Sequence, residues 1–252
     1  MLKTSFVENQ DGRFLVFEND TLGQHLMRGE RWEPYFADFV ERVVKPGDIT
    51  VDVGANIGYH SIILGRAVGD SGAVFAFEPL RITFQQLCGN AILNRLSNIY
   101  PFQCAVGHVD GATISMVPID YNEPDVNIMN ACVGVGGDVV TMRTIDSLAF
   151  QKLSFLKIDV QGCELVVLKG AQQTIERCKP IIFIEIEEQQ LQHQNTTSQD
   201  VMIQILSKGY TLAWNPDVAT HDWIGIPKDR QDLLKEVKAV LGENCQIYSA
   251  PD

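Results

Sequence analysis

Lys45-Pro-Gly-Asp-Ile-Thr-Val-Asp-Val-Gly-Ala-Asn-Ile-Gly58 reads as a turn, a buried strand and a glycine-punctuated loop in direct succession. Pro and Gly mark the turn, and four of residues 49–53 are β-branched, as strands favour. Helical spacing follows, through Ile62, Ile63 and Ala67. Strand, tight turn and helix in that order open a parallel sheet covered by helices. Gly54 permits a tight turn with backbone close to a ligand, and Gly58 lets the helix start near the strand.

The rest of the chain repeats this alternation. Residues 73–77 form a second strand, and residues 82–96 a helix with Phe84, Leu87, Ala91 and Ile92 on its apolar stripe. Residues 99–106, 155–158 and 181–186 supply the third, fourth and fifth strands. Helices are expected at 32–44, 164–178, 201–208 and 230–241, with further strands at 210–214 and 221–226, the last antiparallel at the sheet's end. Residues 107–153 exceed what a parallel crossover needs. They read as an insertion with a hairpin, from runs 112–117 and 139–144, and a loop over about 121–137. The expected organisation is one domain over 1–252, with a lead-in to 45 and a C-terminal helix and tail from about 229.

Composition narrows the partners. Of 252 residues, 45% are hydrophobic, and 20 Lys and Arg face 32 Asp and Glu for a net charge of −12. So acidic a surface repels phosphate backbones and anionic lipid, which argues against nucleic acid and membrane partners. The first twenty residues lack the basic region and apolar core of a signal peptide. Apolar runs are too short to span a bilayer. Six scattered cysteines, with no Cys or His pair at ligand spacing, read as reduced thiols in a cytoplasmic protein without metal.

Two features point to a ligand. Glu78 ends the second strand twenty residues after Gly58, the place of a carboxylate that binds a ribose diol. In a dinucleotide fingerprint a second glycine stands two residues after the first, against the pyrophosphate; here that position is Asn56. Asp52, just ahead of the turn, is awkward beside a pyrophosphate and suits an ammonium group. The combination favours S-adenosylmethionine over NAD.

The runs KPGDITVDVGANIGYHSIILG, AVFAFEP, AVG at Ala105, SFLKIDVQGCELVVLKGA and KPIIFIEI together resemble the FkbM family of methyltransferases, over roughly residues 32–186. The resemblance implies a Rossmann-like class I methyltransferase fold. Its sheet would be mostly parallel and seven-stranded with a reversed last strand, helices on both faces and a β-hairpin insertion. It also implies bound S-adenosylmethionine and O-methylation of a hydroxyl on a sugar, polyketide or other natural-product intermediate. Carried over by position, Gly54, Ala55, Asn56 and Gly58 would line the methionine and ribose side. Glu78 would bind the ribose hydroxyls, and Ala105 and Val106 would approach the adenine. Gln161 stands where the family often has Glu.

Asp159, at the end of the fourth strand, is the first candidate at the reaction centre. Three roles are open to it: orienting the acceptor, taking its proton, or holding the cofactor's ammonium. Glu185 is the second, because a carboxylate after four apolar residues needs a partner. Glu187 shares its face, and Glu164 favours a helix N-terminus. His60 follows the glycine loop as a substrate contact or a packing residue, and Trp32 and Tyr35 are candidate lids. Small-molecule or peptide acceptors both remain open. Three further readings stay beside the main one: N-methylation of a peptide or amide, an NAD-dependent oxidoreductase, and a non-catalytic cofactor-binding scaffold.

Overall fold

The computed structural model describes residues 3–120 and 133–250. Most of the predicted loop at 121–137 therefore lies outside the described residues. Two strands, β1 (Thr4–Asn9) and β2 (Gly12–Phe17), pair as an antiparallel hairpin, followed by helices α1 (Thr21–Met27) and α2 (Pro34–Val43). The lead-in is thus a built structure where the sequence suggested only one helix.

The main sheet starts with β3 (Ile49–Val53), whose chain continues through α3 (Tyr59–Val68), β4 (Ala73–Phe77), α4 (Arg81–Leu93) and β5 (Ile99–Phe102). Ala105–Val106 (β6), Thr113–Ser115 (β7) and Val139–Arg143 (β8) form a separate small sheet in the order β6-β8-β7. The expected third strand therefore ends four residues early, at Phe102. After a turn at Cys104 the chain pairs instead with the insertion, Ala105 opposite Met142, and β7 and β8 form the predicted hairpin.

β9 (Phe155–Ile158), helices α5 (Glu164–Lys169) and α6 (Gln172–Cys178), and β10 (Ile181–Glu185) follow. The predicted helix over 164–178 is broken in two. A Cβ at Gly170 would sit 1.8 Å from the Gly107 carbonyl oxygen, so the chain bends where the insertion crosses it. Asp146 then restarts the helix by accepting the Gln173 and Thr174 N–H groups at 3.1 and 2.8 Å. α7 (Glu188–His193), α8 (Ser198–Leu206), β11 (Tyr210–Trp214), β12 (Asp222–Pro227), α9 (Leu234–Leu241) and β13 (Gln246–Ser249) complete the chain. The expected terminal helix starts late, because residues 228–233 form a 3-10 turn.

The sheet order is β13-β11-β12-β10-β9-β3-β4-β5. Neighbours from β10 to β5 run parallel, while β12 is antiparallel to both β10 and β11, giving the expected reversed strand. Among the described residues this sheet has eight strands rather than seven, because β13 adds an antiparallel edge to β11. Alternate side chains feed two cores. Phe155, Phe183 and Ala76 face α2, α3 and α9, whereas Leu156, Ile158, Ile182 and Val53 face α5, α6 and α8. No helix among the described residues is long and apolar enough to cross a membrane. Strand order reverses between β3 and β9, the place where such sheets hold ligands at their carboxyl ends.

Candidate active site

At that point β3 and β9 approach more closely than a side chain would allow. Gly54 has φ +78°, and a Cβ there would lie 1.7 Å from the Asp159 carbonyl oxygen. The glycine is needed first for this backbone crossing, ahead of any ligand. Asn56, with φ 50°, turns its N–H onto Glu78 Oε2 at 2.9 Å. Glu78 Oε1 accepts the Leu80 N–H at 3.0 Å and the Thr83 hydroxyl at 2.7 Å. Burial pushes Glu78 up to about 7, although these hydrogen bonds pull the other way. Asn56 Oδ1 is buried with no partner among the described residues.

Above these strand ends opens a cavity with about 240 Å³ of solvent-accessible space. One wall is the loop and strand ends: Gly54, Ala55, Asn56, Phe77 and Glu78. The small sheet and its flanks add Cys104, Ala105, Val106, Ile114, Met116 and Met142, and Trp32, Tyr59, His60, Lys157, Asp159 and Gln161 complete the lining described here. Seven of the predicted site residues therefore meet in one cavity: Gly54, Ala55, Asn56, Glu78, Ala105, Val106 and Asp159.

Asp52, Gly58 and Glu185 stand outside its lining. Gly58, at φ +87°, precedes α3, and a Cβ there would strike Leu87 Cδ1 at 2.5 Å. Asp52 is fully buried; it accepts the Ser61 hydroxyl at 2.6 Å and lies 3.3 Å from Lys157 Nζ. Glu185 stands behind Gln161, whose amide donates to Glu185 Oε2 at 2.8 Å and to Asp159 Oδ1 at 3.0 Å. Burial, with Asp159 and Asp222 close by, raises Glu185 well above the usual carboxylate range. Glu164 folds back beneath this turn: its Oε1 accepts the N–H groups of Val160 at 3.2 Å and Gly162 at 3.1 Å. It braces the loop after β9 more than it serves a helix dipole.

Lys157 is a buried charge in the cavity lining that the sequence left unmarked. It sits opposite Asp52 in the β3–β9 register, 2% exposed, with Nζ 3.3 Å from Asp159 Oδ2 and 3.4 Å from the Gly54 carbonyl. Burial alone would discharge it; Asp52, Asp159 and Glu33 raise it instead and keep it cationic. Burial alone would likewise raise Asp159, but the Lys157 charge and the Gln161 amide outweigh it and hold that carboxyl below its ordinary value. A lone Lys in a four-residue buried strand, two residues before Asp159, was the available signal, since a buried charge requires partners.

Glu33 was also missed. It precedes Pro34 in the left-handed conformation, φ 43° and ψ 63°, where a residue before proline is ordinarily extended. Its Oε2 lies 3.1 Å from His60 Nε2. Burial and the Lys157 charge push His60 down to about 3, so the ring is neutral. Of the predicted lids, Trp32 lines the cavity, while the Tyr35 hydroxyl donates to Asp222 at 2.5 Å.

Residues 52–212 match the methyltransferase FkbM domain. The chain belongs to that family. It is 29% identical to Methyltransferase 1 of Beauveria bassiana, over 48% of this chain and 57% of that protein. Identity is 27% to the 31-O-demethyl-FK506 methyltransferase FkbM of Streptomyces tacrolimicus, over 63% and 75% of the two chains. It is also 27% to the hexuronic acid methyltransferase AglP of Haloferax volcanii, over 55% and 56%. The chain thus spans little more than half the length of the Beauveria and Haloferax relatives. Trp32, Glu33 and Tyr35 lie ahead of the matched FkbM domain, which supplies the floor of the cavity and His60.

Proposed function

We propose that this FkbM-family chain uses S-adenosylmethionine to methylate a hydroxyl of a small molecule of the sugar or polyketide kind. The observation that carries the reading is a pair of acceptors in one wall, the Glu78 carboxylate and the orphaned Asn56 Oδ1. They suit the hydroxyls and ammonium of that cofactor. The apolar slot of Phe77, Cys104, Ala105, Val106 and Met142 suits its adenine. When bound, S-adenosylmethionine supplies an electrophilic methyl on a cationic sulfur. The chain's own share is to hold the acceptor in line about 3 Å away, which accounts for much of the acceleration. Ionised and clamped by Lys157, Asp159 is suited to orienting an acceptor or attracting a cation, and poorly suited to taking a proton. The names of the Streptomyces and Haloferax relatives support a hydroxyl-bearing small molecule, and the acidic surface disfavours nucleic acid.

Calorimetric titration should give micromolar binding of S-adenosylhomocysteine, roughly −8 kcal/mol. Tight NAD binding without any response to S-adenosylhomocysteine would sink the reading. Labelled S-adenosylmethionine offered with a hexuronic acid glycoside, a macrolide bearing a free hydroxyl, and a peptide then tests the acceptor. Label on a peptide nitrogen would move the assignment to N-methylation.

Glu78→Ala should weaken S-adenosylhomocysteine binding by about 1.5–3 kcal/mol, the scale of hydrogen bonds to a charged group. The fold should suffer too, because the Asn56, Leu80 and Thr83 donors lose their acceptor. Glu78→Gln keeps one oxygen, so its melting temperature should lie between those of wild type and Glu78→Ala. Equal affinity in all three proteins would show that the ribose sits elsewhere.

A further inference from the structure

His60 lines the cavity on the first turn of α3, 7% exposed, with its ring 4.2 Å from that of Phe36. Its Nε2 is 3.1 Å from Glu33 Oε2, yet the pair is not aligned as a full hydrogen bond, and Nε2 is otherwise without a partner among the described residues. Catalytic hydrogen bonds are often loose without ligand and tighten in the complex.

Glu33 is held there against its backbone preference. The left-handed conformation is costly for a glutamate, more so before proline, and survives only where the surroundings impose it. Here they do. Arg31, two residues earlier, is pinned by Asp11 at 2.7 Å and by Asp38 at 3.2 Å. Asp11 in turn accepts the hydroxyl of Tyr59, the neighbour of His60, at 2.6 Å. One ion-paired cluster thus fixes both segments that carry the pair.

We infer that His60 is the general base that takes the acceptor's hydroxyl proton, and that Glu33 positions it. This rests on the methyltransferase reading above. With the ring in the tautomer that directs Nε2–H at Glu33, Nδ1 carries the lone pair. As the acceptor oxygen bonds the methyl carbon, the O–H proton passes to Nδ1. The electron pair of the broken carbon–sulfur bond stays on sulfur. One positive charge leaves the sulfonium and one appears on the imidazolium, which the Glu33 carboxylate stabilises until the proton departs to water. Asp159 is already engaged on both oxygens, Oδ2 by the Lys157 ammonium and Oδ1 by the Gln161 amide.

The pH dependence follows from the groups around the pair. Lys157, Asp52, Asp159 and Asp11 act on His60, and Lys157, Asp159, Asp52, Asp222 and Tyr35 on Glu33, which also accepts a hydrogen bond from Trp32. Burial and the Asp159 charge raise Glu33 to about 7. The productive pair needs Glu33 ionised, so turnover should climb as pH rises through about 7.

The test has two arms. In the S-adenosylhomocysteine complex, nitrogen-15 NMR should find His60 neutral as the Nε2–H tautomer above pH 7. Glu33→Ala, which leaves no acceptor, should erase that preference; an unchanged tautomer overturns the role of Glu33. In the second arm, labelled methyl transfer to a hexuronic acid glycoside and to glycerol at molar concentration is followed. His60→Ala and His60→Gln should lose 10²–10⁴-fold in turnover, the range for positioned acid–base help. S-adenosylhomocysteine binding should persist, and added imidazole should partly rescue His60→Ala. Glu33→Gln should lose the rising limb of the pH profile. Near-normal turnover in both His60 variants, or a wild type that binds S-adenosylhomocysteine yet labels neither probe, refutes the base. Failure to bind S-adenosylhomocysteine refutes the methyltransferase reading instead.

Discussion

Lys157→Met should cost about 3–5 kcal/mol of stability, the price of stranding a buried charge by removing its partner. Whole domains are stable by only about 5–15 kcal/mol, so the variant should fold poorly near room temperature. The cause is local: Asp52 is wholly buried and would keep only the Ser61 hydroxyl, while Asp159 would keep the Gln161 amide. Met fills nearly the same volume, so the loss is electrostatic rather than a cavity. Replacing the Asp52 charge as well, in Lys157→Met with Asp52→Leu, should recover part of the loss, because a well-packed apolar pair is often as stable as an ion pair. Urea midpoints of wild type, both single variants and the double variant measure this. A Lys157→Met loss below about 1 kcal/mol would mean that the buried pair contributes little to the fold.

How much of this was legible in the sequence follows from where each signal resides. Parallel strands buried on both faces produce short apolar runs, so β3, β4, β9 and β10 could be read directly. Gly54, Asn56 and Glu78 were legible because their spacing is local to one strand–loop–helix unit. The eighth strand was not: β13 is an edge with Ile247 exposed, and it carries little apolar signal. The β1–β2 hairpin did leave a trace, the Asp11-Gly12 pair between two alternating runs. Gly170 likewise marked the helix break. Asp52 was read as a cofactor contact because its partner, Lys157, lies 105 positions away in sequence and meets it only through sheet register. Glu33 left no local trace, since the residue before a proline is ordinarily extended. Its partnership with His60 exists only once α2 is laid across α3.

The same burial that hides these groups sets the response to pH. Glu33, Glu78 and Glu164 are each raised to about 7, with desolvation the leading cause, and Glu185 and Asp222 are also raised. A folded-state value above the unfolded one means that the native protein keeps protons which the unfolded chain has released. The stabilisation is therefore complete below about pH 4.5 and lost as pH climbs to about 7. Each buried glutamate contributes up to about 3 kcal/mol. Asp11 and Asp159, both lowered, act only under more acidic conditions, and His60, lowered to about 3, opposes the trend below pH 6.5 as one group against five. Ligand-free protein should thus lose stability steadily between pH 5 and about pH 8 in urea titrations. Glu164→Gln should flatten the slope, since a neutral amide has no proton to lose. S-adenosylhomocysteine should flatten it too and bind more tightly as pH rises through about 7, because hydroxyl donors favour ionised Glu78. A profile that rises over this range would show that these carboxyls ionise freely in the folded chain, with water or a cation reaching them.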